Sequence, residues 1–302
     1  MNYREEQRQR AVSTRDYLFK DPGTGIFFGK ERDFVLKDPS LNLWAGIRDD
    51  AKYHFVANGI AWWKGTEEDP TGHLLSSQVA CVNHLYPLRQ RCDVATSVLK
   101  QIEPSIVESL PIGNGFVDFE YIGSRQYLKE PAFTRGTNCT SVDAVMCGAT
   151  AEREVILFLI EWKYTESYRP DNLYIPRRAE VYDPLISSKD SPFLTGVKPQ
   201  DLYYEPFYQM MRQTLLAWQF EIHGEMECAR CFNVHVIPNK NKALKERITS
   251  PGLQGSDIHE AWRTLLKRPE KYIAIDPEEM LRPAYELPDT KSWLNYLEAR
   301  YW

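Results

Sequence analysis

The stretch Ile156-Leu157-Phe158-Leu159-Ile160-Glu161-Trp162-Lys163-Tyr164-Thr165-Glu166 decides how this chain is read. Five consecutive apolar residues place hydrophobic side chains on both faces of a strand, the pattern of a strand covered on both sides. The run then ends in charge. Side chains alternate across a strand, so Glu161 and Lys163 share one face while Trp162 and Tyr164 turn to the other. Taking ions out of water is costly unless they are paired or hold a metal, so these two charges need a reason.

The neighbouring segments supply partners. TSVDAVMCGA, residues 140–149, reads as a strand, and the short polar ATAERE segment reads as a hairpin connection to the strand at 154–166. Antiparallel pairing brings Asp143, near the start of one strand, to Glu161 and Lys163, near the end of the other. GFVDFEYIG at 115–123 and CFNVHVIPN at 231–239 read as two further strands. SSQVACVNHLYPLRQRCDVATSVLKQI spaces Val79, Val82, Leu85, Leu88, Val94 and Leu99 about one helical turn apart, giving one helix or two. Ser76 or Ser77 is its N-cap, and Pro87 kinks or breaks it. EPFYQMMRQTLLAWQFEIHG is an amphipathic helix with Pro206 in its first turn and Gly224 near its end. Residues 167–200 carry Pro170, Pro176, Pro184, Pro192 and Pro199, too many for a continuous helix, and read as a long surface excursion.

Residues 1–75 are therefore an N-terminal wrap of short helices and strands, 76–240 the core, and 241–302 a C-terminal helical extension packing on it, in one compact domain. With 302 residues, 43% hydrophobic and 26% charged, the chain can bury a large core. No apolar run reaches the roughly 20 residues that a membrane helix needs, and MNYREEQRQR has no signal-peptide core, so no membrane partner and a cytoplasmic location are expected. Six scattered cysteines read as reduced thiols, and the sequon Asn138-Cys139-Thr140 has no role in that compartment. A net charge of -5 argues against nonspecific coating of nucleic acid, yet leaves room for a local basic groove.

A helix, three strands, a helix and a fourth strand, with Asp on the second strand and Glu-x-Lys on the third, resembles the core of the PD-(D/E)XK nuclease superfamily. SSQVACVNHL, Phe119-Glu120, Ser141-Val142-Asp143 and Glu161-Trp162-Lys163-Tyr164-Thr165-Glu166 look like a bacterial branch of it. NLWAGI, GIAWW and WLNYLEARY extend the likeness over most of the chain, and Val142 stands where the superfamily's name has proline. The resemblance implies an α/β (α+β) fold with a restriction-endonuclease-like core, a mixed four-stranded sheet flanked by helices, with N- and C-terminal helical elaborations. It also implies a metal-dependent nuclease hydrolysing phosphodiester bonds in DNA, in restriction, defence or repair.

That chemistry asks for these residue types. Phosphodiester hydrolysis needs a nucleophilic water and neutralisation of charge developing on the phosphoryl and leaving oxygens. Asp143 and Glu161 offer hard oxygens to Mg²⁺ (or Mn²⁺), and the resemblance implies the backbone carbonyl of Trp162 as a further ligand. Lys163 would orient or help deprotonate the water. Glu120 is a third acidic candidate, with Asp118 and Glu108 competing for its place. Gln78 on the first helix, and Gln209 and Arg212 on the later one, are candidates for phosphate binding or support. The expected partner is nucleic acid, DNA before RNA, and a homodimer would suit cutting of both strands.

The plainer reading of Glu161 and Lys163 is a strand-end ion pair half in solvent, which contributes little. A noncatalytic nucleic-acid-binding or assembly protein retaining the nuclease fold is the alternative function. Cys228 and Cys231, with His223 and His235 nearby, raise a zinc-stabilised interaction protein as a third, on a single C-x-x-C. Arg177-Arg178 and the lysines of NKNKALKER read either as a backbone-tracking patch or as solvated surface.

Overall fold

The computed structural model describes residues 2–21, 23–135 and 139–302; Asn138 of the sequon lies outside them. The helices are α1 (Tyr3–Ser13), α2 (Arg15–Leu18), α3 (Arg48–Ala57), α4 (Ser77–Leu85), α5 (Cys92–Ile102), α6 (Pro176–Ile186), α7 (Phe207–His223), α8 (Lys242–Lys245), α9 (Ile258–Arg263), α10 (Pro277–Leu281) and α11 (Lys291–Arg300). The strands are β1 (Gly25–Phe27), β2 (Lys30–Arg32), β3 (Ile106–Leu110), β4 (Val117–Tyr121), β5 (Val142–Thr150), β6 (Val155–Trp162), β7 (Arg230–Val236) and β8 (Tyr272–Ile275).

Local chemistry sets several of these boundaries. The Ser76 hydroxyl accepts the Val79 N–H at 3.3 Å and so caps α4. A 3₁₀ turn at Tyr86–Gln90, containing Pro87, separates α4 from α5. Gly224, at φ 63°, ends α7 in the left-handed conformation that a residue without Cβ adopts readily.

β1 and β2 form a separate hairpin. The main sheet is mixed and six-stranded, in the order β3-β5-β6-β7-β8, with β4 also paired to β5. β5 is long enough to carry β4 along Val142–Met146 and β3 along Cys147–Thr150, both antiparallel. β5 and β6 are antiparallel, whereas β6, β7 and β8 run parallel.

Both faces of the sheet are covered. Phe158, Ile160 and Trp162 join Phe55, Val79, Leu85, Val98 and Leu297 in one core beneath α3, α4, α5 and α11. Leu157 and Leu159 join Tyr182, Met211, Leu215 and Trp262 in the other, beneath α6, α7 and α9. Residues Ile156–Ile160 are accordingly all buried, each side chain contributing about 1.5–3 kcal/mol from the surface it removes from water.

The four expected strands, their helical flanks and the terminal elaborations are all present, with three corrections. The sheet has six strands, not four, because short β3 and β8 join at its edges. The segment 241–302, expected to be helical, contributes β8 to that sheet. The proline-rich stretch 167–200 contains α6, which starts on Pro176 and holds Pro184 inside it; a proline at the first helical position gives up an N–H that would have no partner anyway. No helix among the described residues is long and apolar enough to cross a membrane.

Candidate active site

Strand register sets four titratable side chains in one row across four neighbouring strands. The β4–β5 pairs Phe119↔Ala144 and Tyr121↔Val142 leave Glu120 opposite Asp143. The β5–β6 ladder runs to Ala144↔Ile160, and one step further sets Asp143 opposite Glu161. β6 and β7 pair Glu161 with His235. Register partners point to the same face, so Glu120, Asp143, Glu161 and His235 line up on the α7 side of the sheet.

Glu161 and Lys163 are 4% and 5% exposed. Lys163 is the first residue beyond β6, and its Nζ lies 2.7 Å from Glu161 Oε1. Gln209 clamps the pair: its Nε2 donates to Glu161 Oε1 at 2.6 Å and its Oε1 accepts from Lys163 Nζ at 2.6 Å. Gln213, one turn further along α7, donates to Glu161 Oε2. The ion pair is therefore buried and hydrogen-bonded, unlike the half-solvated surface pair of the plainer reading.

Asp143 is half-buried, and its Oδ2 accepts the Trp162 N–H at 2.7 Å. The carboxylate thus takes a backbone donor at the end of the β5–β6 ladder. Burial, then the charges of Glu161 and Glu120, push the Asp143 carboxyl well above the usual carboxylate range, against the lowering pull of Lys163 and the Trp162 N–H. Glu120 is 8% exposed and sits at φ 46°, a left-handed backbone that non-glycine residues rarely adopt. Gln78 Nε2 donates to its Oε1 at 2.8 Å and the Ser141 hydroxyl to its Oε2 at 2.9 Å. Burial raises its carboxyl and the neighbouring Glu161 adds to that, while these two donors work the other way. Burial opposes the Lys163 charge, yet Glu161, Tyr168, Glu166 and Asp143 outweigh it and hold the ammonium well above its ordinary pKa.

Asp118 and Glu108 drop out as rivals of Glu120. Asp118 is held by His54 Nε2 at 3.2 Å and Arg135 Nη2 at 2.8 Å, and Glu108 is exposed on β3. Gln78 and Gln209 both reach carboxylates of the row. Arg212 does not: its Nη1 lies 3.4 Å from Thr140 Oγ1, on the neighbouring flank of α7. Cys228 and Cys231 lie in the core with their sulfurs 3.5 Å apart, and His223 is exposed.

Two members of the site were not singled out from the sequence for it. Gln213 could have been found as the i+4 companion of Gln209, a second amide on the sheet-facing side of an amphipathic helix. His235 needed the register. Its Nδ1 and that of His259 lie 3.0 and 2.8 Å from the Tyr272 hydroxyl, which has one proton to give, so the two neutral rings hold opposite tautomers. His235 Nε2 and Asn233 Oδ1 have no partner among the described residues, and both residues line, with Glu161 and Gln213, a cavity of about 10 Å³.

A divalent cation fits this donor set on charge grounds. Three carboxylates share the row with one ammonium; burial first, and the charge of neighbouring carboxylates after it, push Asp143 and Glu120 up. In the geometry described, however, no three His, Cys, Asp or Glu side chains among the described residues are grouped closely enough to hold a metal by themselves. A cation there would rest on two carboxylates plus backbone, water or substrate oxygens, which is the usual company of Mg²⁺.

A family model described as Restriction Endonuclease associating with ARP matches residues 25–302 of the chain. No curated protein and no solved structure matches it.

Proposed function

The chain belongs to the family of restriction endonucleases associating with ARP, and from that premise we propose that it is a nuclease of the PD-(D/E)XK type. It hydrolyses phosphodiester bonds in DNA, with Mg²⁺ or Mn²⁺, in a restriction, defence or repair setting. The observation that carries this reading is the placement of Asp143 directly across the ladder from Glu161, with Lys163 on the same face.

Asp143 and Glu161, with the Trp162 carbonyl, would hold the cation, and Glu120 stands next in the row. When bound, the cation supplies charge neutralisation at the phosphoryl and leaving oxygens. Lys163, kept charged by Glu161, offers N–H donors to a phosphoryl oxygen or to the attacking water and does not start as a proton acceptor. Gln209 and Gln213 fix the Glu161 rotamer, and Gln78 and Ser141 do the same for Glu120. Asp143 keeps its orientation through the Trp162 N–H.

The test is cleavage of circular duplex, linear duplex, single-stranded DNA and RNA, with Mg²⁺, Mn²⁺ or chelator, by wild type, Glu161→Ala and Lys163→Ala. Metal-dependent cutting of DNA that both substitutions abolish is the expected result. Failure to cut any substrate, with no Mg²⁺ binding that depends on Asp143 and Glu161, overturns it. The closed Glu161–Lys163–Gln209 clamp favours a second reading, a noncatalytic nucleic-acid-binding or assembly protein, which that outcome would leave standing. Association with ARP, the partner in the family's description, belongs to the proposal and is read by copurification.

A further inference from the structure

Beside the carboxylate row, on the other flank of α7, lies an open cleft of about 620 Å³ bounded by α6, by α7 and by Glu130, Pro131, Ala132 and Cys139 from the chain before β5. Arg177, Arg178 and Arg212 line it, with Tyr182 and Tyr208 between them and Glu130 as its acid. The guanidinium carbons of Arg178 and Arg212 lie 5.2 and 4.8 Å from the Tyr208 ring centre, so one aromatic plane holds both cations in place. Glu130 is already committed. Its Oε1 accepts from the Tyr182 hydroxyl at 2.5 Å and the Thr140 hydroxyl at 2.7 Å, and its Oε2 accepts the Thr140 N–H at 2.8 Å.

Among the described residues, none of the three arginines has a carboxylate within 4.0 Å, and the buried Arg212 Nε has no hydrogen-bond partner. Three guanidinium groups face one carboxylate among the lining residues, Glu130, so the cleft carries a net positive charge that an incoming polyanion offsets. Planar guanidinium groups also match the oxygens of a phosphate in pairs. Arg177 is exposed at the rim while Arg178 and Arg212 are half-buried, so the positive charge runs from the mouth inward.

The cleft is joined to the carboxylates by short stretches of chain. Thr140, which touches Arg212, precedes Ser141, whose hydroxyl donates to Glu120. Along α7, Tyr208 and Arg212 face the cleft while Gln209 and Gln213 reach Glu161. Cleft and row are thus built on the same two segments, α7 and the Thr140–Ser141 corner.

We propose that the Arg177–Arg178–Arg212 cleft binds the sugar-phosphate backbone of a nucleic-acid strand and leads the strand to the carboxylate row. The inference rests on the nuclease reading for what happens at that row, but not for the binding itself. The site reads phosphate and not sequence, because backbone contacts carry no base information.

The experiment uses the full chain carrying Glu161→Ala, in chelator, so that binding is measured without cutting. Fluorescence anisotropy with labelled single-stranded and duplex DNA oligonucleotides is followed across a salt titration, in that background and with Arg177→Glu, Arg178→Ala or Arg212→Lys added. Arg177 is exposed, so its substitution leaves the fold intact even where the Arg212 variant does not, and a circular dichroism melt checks each. The expected result is binding weakened on the order of tenfold by Arg177→Glu and Arg178→Ala at about 0.1 M salt. The slope of log K against log salt should become shallower by about 0.7–0.9 for each phosphate that the variant no longer neutralises. Unchanged affinity and slope in those variants, or no binding by the background chain at low salt, overturns the proposal. Arginine-dependent binding by a protein that cuts nothing would sink the nuclease reading and leave the cleft. Cutting by wild type with arginine-independent binding would do the reverse.

Discussion

At the scale of single residues, Asp143 is a carboxyl whose surroundings disfavour its ionised form. Its carboxyl is pushed well up by burial and by Glu161 and Glu120, so at neutral pH its ionised form works against folding. Replacing it by Asn keeps an oxygen to accept the Trp162 N–H and removes the repulsion. Asp143→Asn should therefore unfold at a higher temperature than wild type at pH 7 without metal, by about 1.5 °C per kcal/mol relieved, while losing metal-dependent cleavage. Calorimetry with and without Mg²⁺ reads this. A lower melting temperature for the variant would show that the carboxylate is stabilising as it stands. Glu120 belongs with Asp143: a non-glycine residue held at φ 46° and fastened by Gln78 and Ser141 has a constrained position, and such positions cluster at functional sites.

At the scale of elements, α7 organises both sides of the proposed activity. Its pattern of Phe207, Met211 and Leu215 buries one stripe in the core, and the flanking turns present Gln209 and Gln213 to Glu161 and Arg212 to the cleft. An amide serves here better than a charge, because Gln209 can donate to the carboxylate and accept from the ammonium at once. Gln213→Leu removes a buried donor to Glu161 while keeping similar bulk. The expected outcome is a fall in cleavage rate or Mg²⁺ affinity of about 10–100-fold with the circular dichroism spectrum retained. Wild-type kinetics in this variant would mean that Gln213 only fills space. The helix itself was legible in the sequence from its period and from Gly224, and the i+4 spacing puts Gln209 and Gln213 on one side of it; that both amides meet Glu161 was decided by how the helix packs on the sheet.

At the scale of the whole molecule, buried histidines set an acid limit. Burial lowers His84 to about 3 and His73 and His259 to about 4, and carries His235 well below its ordinary value. The unfolded chain takes up these protons near the ordinary 6.5 and the folded chain does not. Their contribution to stability is complete above about pH 6.5 and is lost as pH falls toward 4. Asp143 and Glu120, with raised carboxyls, work in the opposite direction, so the test is a difference: urea unfolding of wild type and His84→Gln between pH 7 and 4. The variant's decline should be shallower by up to one proton, about 1.4 kcal/mol per pH unit. Parallel curves would mean that His84 does not titrate with folding.

The central strands, the α4–α5 break at Pro87 and the meeting of Asp143, Glu161 and Lys163 were all open to a reader of the sequence alone. Each follows from short-range rules: alternation along a strand, the capping oxygen of Ser76, and antiparallel return across a short connection. Tertiary structure decided the rest. β3 and β8 are too short and too mixed in character to announce themselves, and they become strands because β5 and β7 have edges to pair. His235 enters the row through a parallel register that no local pattern encodes. The arginine cleft brings together residues from two helices separated by the chain between them, and only packing could set Arg178 and Arg212 against the one ring of Tyr208.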